Sequence, residues 1–140
     1  MSEPERLRPS PQQRFAPSVQ LFDLSAAASQ LRAEPHTSRD GHRQVALDRH
    51  GPMTLVLFTF EQGGVFKDHQ VPGMATLMLT RGHLRITTED GDHELRPGQV
   101  LTIGPGVVHN VQAPEASEML LTVCLTEHAG SSREDRGRSA

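Results

Sequence analysis

Two histidines, His69 and His109, stand at matching points of two similar stretches. His69 opens "HQVPGMATLMLTRG", a proline–glycine break and an apolar run that ends on Gly82. His109 lies near the end of "LRPGQVLTIGPGVVHNV", forty residues later. A neutral imidazole can ligate a divalent metal, or it can anchor a ligand by hydrogen bonds. Catalytic zinc takes three protein ligands, and the oxygen-activating iron triad takes two histidines and a carboxylate on one face. His69 and His109 can supply the histidines. Asp68 and Gln70 belong on the opposite face of a regular strand, because side chains alternate with period two. The Pro72–Gly73 break can relax that rule locally. Glu61, His50, His83 and His93 are further candidates, but their spacing does not bring them to the site.

Composition limits what surrounds these residues. With 140 residues the chain has the size of one domain and can build one core without staples. Cys124 is the single cysteine, so no intramolecular disulfide forms and a reducing compartment is expected. No apolar stretch approaches the roughly 18–20 residues of a membrane helix. The opening "MSEPERLRPSPQQRF" has no secretory core, so a soluble cytoplasmic protein is expected. A net charge of −3 and the lack of a basic cluster argue against nucleic acid. There is no Trp and no Tyr, which excludes sites built on a tyrosine acid or stacked indoles.

The elements that must position the histidines can be read from pattern. Residues 1–18, rich in proline and charge, read as a flexible arm, and residues 127–140 as a disordered tail. Residues 19–126 form the single domain. "DLSAAASQLRAEP" predicts a helix near 24–34, capped by Asp23 or Ser25, with Leu24, Ala28 and Leu31 on one face and Pro35 ending it. "HTSRDGH" reads as a loop. From about Arg43 to Thr126 come some nine β-type runs, split by glycine, proline and acidic turns. "EDGD" is a hairpin turn and "RPGQ" a type II-like one. That density of short strands predicts a sandwich or small barrel. "MTLVLFTF", "ATLMLT" and "EMLLTVCL" are apolar on both faces. One face must fill the barrel; the other lies under the helix or in a subunit interface.

With the motifs in place, residues 43–126 resemble the cupin superfamily. Its first motif runs His-x-His, then Glu, then Gly; its second runs Gly, five residues, Pro-x-Gly, two residues, His. His69 and Gly82 fit the ends of the first motif, and Gly98, Gly106 and His109 fit the second. The second histidine of the first motif falls on Val71, and its glutamate falls on Ala75. Gly104 stands where the second motif has proline, and Ala113 where an asparagine often follows. The resemblance implies an all-β, double-stranded β-helix (jelly-roll) barrel and a homodimer. It also implies one divalent transition metal (Fe, Mn, Ni, Cu or Zn) on His69 and His109, or none. The subgroup resembled has no firmly assigned activity.

Three function classes follow. The first is a small-molecule binding module whose cavity is lined by Val71, Met74, Ala75 and Leu77, with the two histidines as polar anchors. The second is a metal-dependent enzyme, a dioxygenase on a small organic substrate, which the missing glutamate disfavours. A metal-free isomerase fits less well, because it needs an acid opposite the base. The third is a purely structural role through the double-faced strands. Elsewhere the plainer reading holds. His36, His42, His50 and His128 sit in loops or tails, and His83 and His93 beside solvated turns. Cys124 reads as a small core or interface residue, and Met78 and Met119 as core filler.

Overall fold

The computed structural model describes residues 18–35 and 40–125. Most of the expected arm, the whole tail 127–140, His36 and His128 lie outside the described residues. Helix α1 spans Leu24–Arg32. Asp23 caps it by accepting the Ala26 N–H on its carboxylate at 3.0 Å. It ends two residues before the expected Glu34. Pro35 disfavours helical geometry at the residue before it, and Ala33 closes the last turn by donating to Ser29 and Gln30 carbonyls.

Nine strands follow, β1 (His42–His50), β2 (Met53–Phe60), β3 (Val65–His69), β4 (Gly73–Arg81), β5 (Leu84–Thr88), β6 (Gly91–Leu95), β7 (Val100–Ile103), β8 (His109–Gln112) and β9 (Ser117–Leu125). They form two antiparallel sheets, a five-stranded one in the order β1-β2-β9-β4-β7 and a four-stranded one in the order β3-β8-β5-β6. Sequence neighbours such as β3 and β4 fall in different sheets, which is the double-sheet jelly roll expected from the sequence.

Alternation sorts each strand into an inner and an outer face. Phe58 and Phe60 of β2, Ala75, Leu77 and Leu79 of β4, and Met119 and Leu121 of β9 face Leu84, Ile86 and Val111 of the smaller sheet. Outward-facing Leu57 is nonetheless fully buried, because α1 lies against β2 and β1 and buries Ala28 and Leu31 there. Arg32 at the helix end pairs with the buried carboxylate of Glu118 on β9, and Arg81 approaches it at 3.6 Å. The helix covers the β1–β2 side of the larger sheet, and among the described residues Met74 of β4 and Val100 of β7 are exposed on its outer face. Among the described residues no helix is long and apolar enough to cross a membrane.

Candidate functional site

The two histidines meet. His69 ends β3, His109 begins β8, and they are directly opposite partners in one ladder. This requires a departure from regular pairing. Phe66 pairs with Val111, so a regular strand would set Asp68, not His69, against His109. One extra residue on β3 forms a bulge there, with Asp68 at φ 50° in the left-handed region. Aspartate tolerates that region better than most side chains. The Asp68 N–H donates to Asn110 Oδ1 at 2.8 Å across the ladder. Phe66 and His69, three residues apart, thereby share the inner face.

The imidazoles stand edge to face, ring centroids 5.1 Å apart at 88°. His109 is 1% exposed. Its Nδ1 lies 3.1 Å from the Val107 carbonyl, which can only accept, so Nδ1 carries the proton. In the neutral ring Nε2 is then the lone-pair atom, the arrangement in which one ring nitrogen is fixed by the backbone and the other is free to ligate. His69 rests on Phe66 with ring centroids 4.6 Å apart, and its Nε2 is buried without a hydrogen-bond partner. Burial first, and the neighbouring His109 second, hold the His69 pKa below its ordinary value, which favours the neutral ring.

The residues expected to line a cavity separate. Ala75 and Leu77 are buried on the inner face of β4, and Val71 packs partly buried against the same core. The Val71 carbonyl accepts the Gly106 N–H at 2.8 Å, tying the strand entry to the turn that delivers His109. Met74 does not join them. Alternation within β4 sets it on the outer face, where it pairs with Cys124 and is 42% exposed. The other candidates lie elsewhere. Glu61 is exposed beside Arg43, His83 pairs with Glu94 at 2.6 Å, and His93 sits on the edge strand β6 beside Thr88. Among the described residues, no three of His, Cys, Asp and Glu gather to hold a metal.

Other residues also depart from their sequence reading: His50 ends β1 rather than lying in a loop, and Met78 is half-buried on the outer face of β4 rather than in the core. His42 is not in a loop: it opens β1, and its Nδ1–H donates to the Val65 carbonyl at 2.8 Å. Its ring is buried among Phe58, Phe60 and Phe66, with centroids 5.2–5.8 Å away. The turn residues around it conceal this, because its partners are distant in sequence. Of the two readings of Cys124, core or interface, the core one falls, since it lies on the outer face and is exposed.

A family profile described as a cupin domain matches residues 56–125, half of the chain. The chain belongs to the cupin family. Solved structures agree on the fold. A cupin superfamily protein from Desulfitobacterium hafniense is 20% identical, with a TM-score of 0.60 over 65% of this chain and 84% of that one. A Streptococcus pyogenes protein of unknown function is 22% identical, with a TM-score of 0.62 over 79% of this chain and 90% of that one. A Rhizobium leguminosarum protein of unknown function reaches a TM-score of 0.64 at 14% identity, over 78% of this chain and 99% of that one. No curated protein matches the chain. In this cupin the motif places for a second histidine and a glutamate hold Val71 and Ala75, so the residues present supply two imidazoles and an apolar wall.

Proposed function

We propose that this cupin is a binding module that takes a small ligand, a divalent transition metal, or both, on His69 and His109 inside the barrel. The observation that carries this reading is His69 Nε2, buried and unpartnered opposite a second imidazole. Leaving such an atom unsatisfied costs about 1–3 kcal/mol, which a bound donor or cation recovers. The ring spacing of 5.1 Å also suits a shared ion. With bonds near 2.0–2.1 Å, two imidazoles on one tetrahedral metal have centroids about 5 Å apart.

A metal held this way supplies Lewis acidity and open positions for a ligand's oxygens. The protein's part is to fix His109 by its bond to Val107, to keep His69 neutral, and to present Val71, Ala75 and Leu77 as the apolar surroundings. The alternative, a dioxygenase-type enzyme, needs a third nitrogen or oxygen ligand, and the described residues gather none. Binding is therefore placed first.

The outer face of the larger sheet supports a homodimer. Leu120, Met78 and Val100 form a cross-strand row over β9, β4 and β7, beside the part of the sheet that α1 covers at Leu57. Val100 is 53% exposed, and Leu120 and Met78 are half-buried. Such a stripe on a sheet face is what a second copy covers. A cytoplasmic setting accords with the single unpaired Cys124.

The test is metal analysis and uptake by the full chain purified without tag or chelator, with a small-molecule thermal-shift screen beside it. Binding should weaken at least about tenfold in both His69→Ala and His109→Ala while circular dichroism stays the same. Uptake and thermal shifts that persist in either variant would sink the shared site.

A further inference from the structure

A second set of donors lies on the opposite side of the sheet wall. His50 pairs with Met53, Met53 pairs with Cys124, and Cys124 pairs with Met74. Residues directly opposite in antiparallel strands project to the same face, with Cβ atoms about 4.5–5.5 Å apart. Four strands thus present imidazole, thioether, thiol and thioether in one unbroken row. All four residues are exposed, Met53 at 37% and Met74 at 42%. The next residues inward, Thr54, Val123 and Ala75, point the other way, so this row shares no side chain with the imidazole pair.

We propose that Met53, Cys124 and Met74 form a binding site for a soft monovalent cation of the copper(I) type, with His50 as a fourth donor at its edge. Thiolate and thioether sulfur select copper(I), whereas hard divalent ions prefer oxygen. The geometry suits a low coordination number. Cys124 sits in the middle, and each flanking methionine has three rotatable bonds with which to bring its sulfur over the thiol. Binding exchanges the thiol proton for the cation: Cys124 S–H loses H⁺ to solvent, one S–Cu bond forms, and no electron is transferred. The thiolate charge neutralises the ion, and the thioethers complete its shell without adding charge.

The row is four residues along β9 from Leu120, about 13 Å at the usual strand rise, so it lies at the rim of the proposed dimer face and not beneath its centre. It does not depend on the reading of His69 and His109.

The experiment is competition of reduced full-length protein against a chromogenic copper(I) chelator, using copper(I) alone as the probe. One equivalent per chain should bind. Cys124→Ser should weaken it about a hundredfold or more, and Met53→Leu and Met74→Leu each at least about tenfold. A His69→Ala/His109→Ala double variant should bind copper(I) as the parent does, and X-ray absorption should show a sulfur-dominated shell. The proposal is overturned if the two Met→Leu variants retain full affinity, which would mean a bare thiol. Half an equivalent bridging two chains through Cys124, or loss of binding in the double histidine variant, would overturn it equally.

Discussion

The Asp68 N–H donates to Asn110 Oδ1 at 2.8 Å, and this bond pins the one extra residue of β3 against β8. Three consequences meet there: a left-handed backbone, an interrupted ladder, and an imidazole turned inward. Asp68 is one of two non-glycine residues with positive φ among the described residues. A β-branched side chain pays for that geometry, so Asp68→Val should destabilise by about 1–2 kcal/mol, while Asp68→Gly should match or exceed the parent. Asn110→Ala should lose about 1 kcal/mol with its hydrogen bond. Urea denaturation of the three variants provides the comparison. Equal midpoints for the valine and glycine forms would contradict the left-handed bulge.

The His69 pair predicts a dependence on pH. Burial, and then His109, lower the His69 pKa from its ordinary 6.5. The unfolded chain therefore takes up this proton first as pH falls. The contribution of neutral His69 is fully present above about pH 6.5 and is lost as pH drops towards the lower folded value. Melting temperatures of chelator-treated protein between about pH 5 and 7.5 should fall more steeply for the parent than for His69→Gln. Parallel curves would show that His69 is not held neutral.

Glycines that bound the first motif differ in kind from those in open turns. A Cβ on Gly82, which has φ 94°, would strike the Ala116 carbonyl and the Ser117 hydroxyl, with Ser117 Cα 2.7 Å away. Gly98 has φ 88° but nothing within 4 Å of an added Cβ. Gly82→Ala should therefore cost about 3 kcal/mol or more and Gly98→Ala only about 1 kcal/mol, the backbone strain alone. Thermal denaturation of the pair separates the two effects; a Gly98 variant as damaged as the Gly82 one would refute this account.

If the outer face of the larger sheet pairs two copies, charge placed on it will separate them. Val100→Glu and Leu120→Glu should each sediment as monomers, since burying an unpaired carboxylate costs several kcal/mol. Gln112→Glu, exposed on β8 of the other sheet, should leave the assembly unchanged. Dimers that survive both apolar-to-charged changes would place the interface elsewhere.

Much of this architecture can be read from the sequence. Turn residues divide the chain into nine runs, and nine strands are present among the described residues. The histidine pair is legible because each member borders a glycine-marked turn. What stays hidden depends on contacts between distant segments. His42 follows turn residues, and only the arrival of Phe58, Phe60 and Phe66 makes it a core residue. Met74 follows the Pro72–Gly73 break like a residue at a cavity mouth, but β4 already begins at Gly73 and alternation sends Met74 outward. The row of Met53, Cys124 and Met74 is invisible until the register of β2, β9 and β4 is known.

The bulge at Asp68 also changes the odd–even parity of its strand. Counted from Phe66, His69 has the parity of a solvent residue, and a search for sites by strict alternation would discard it. Counted from the other side of the insertion, it falls in step with the inward set. One added residue therefore works as a phase shift. The residues before it keep their faces, those after it exchange theirs, and a polar group enters the interior without any change to the apolar residue that precedes it.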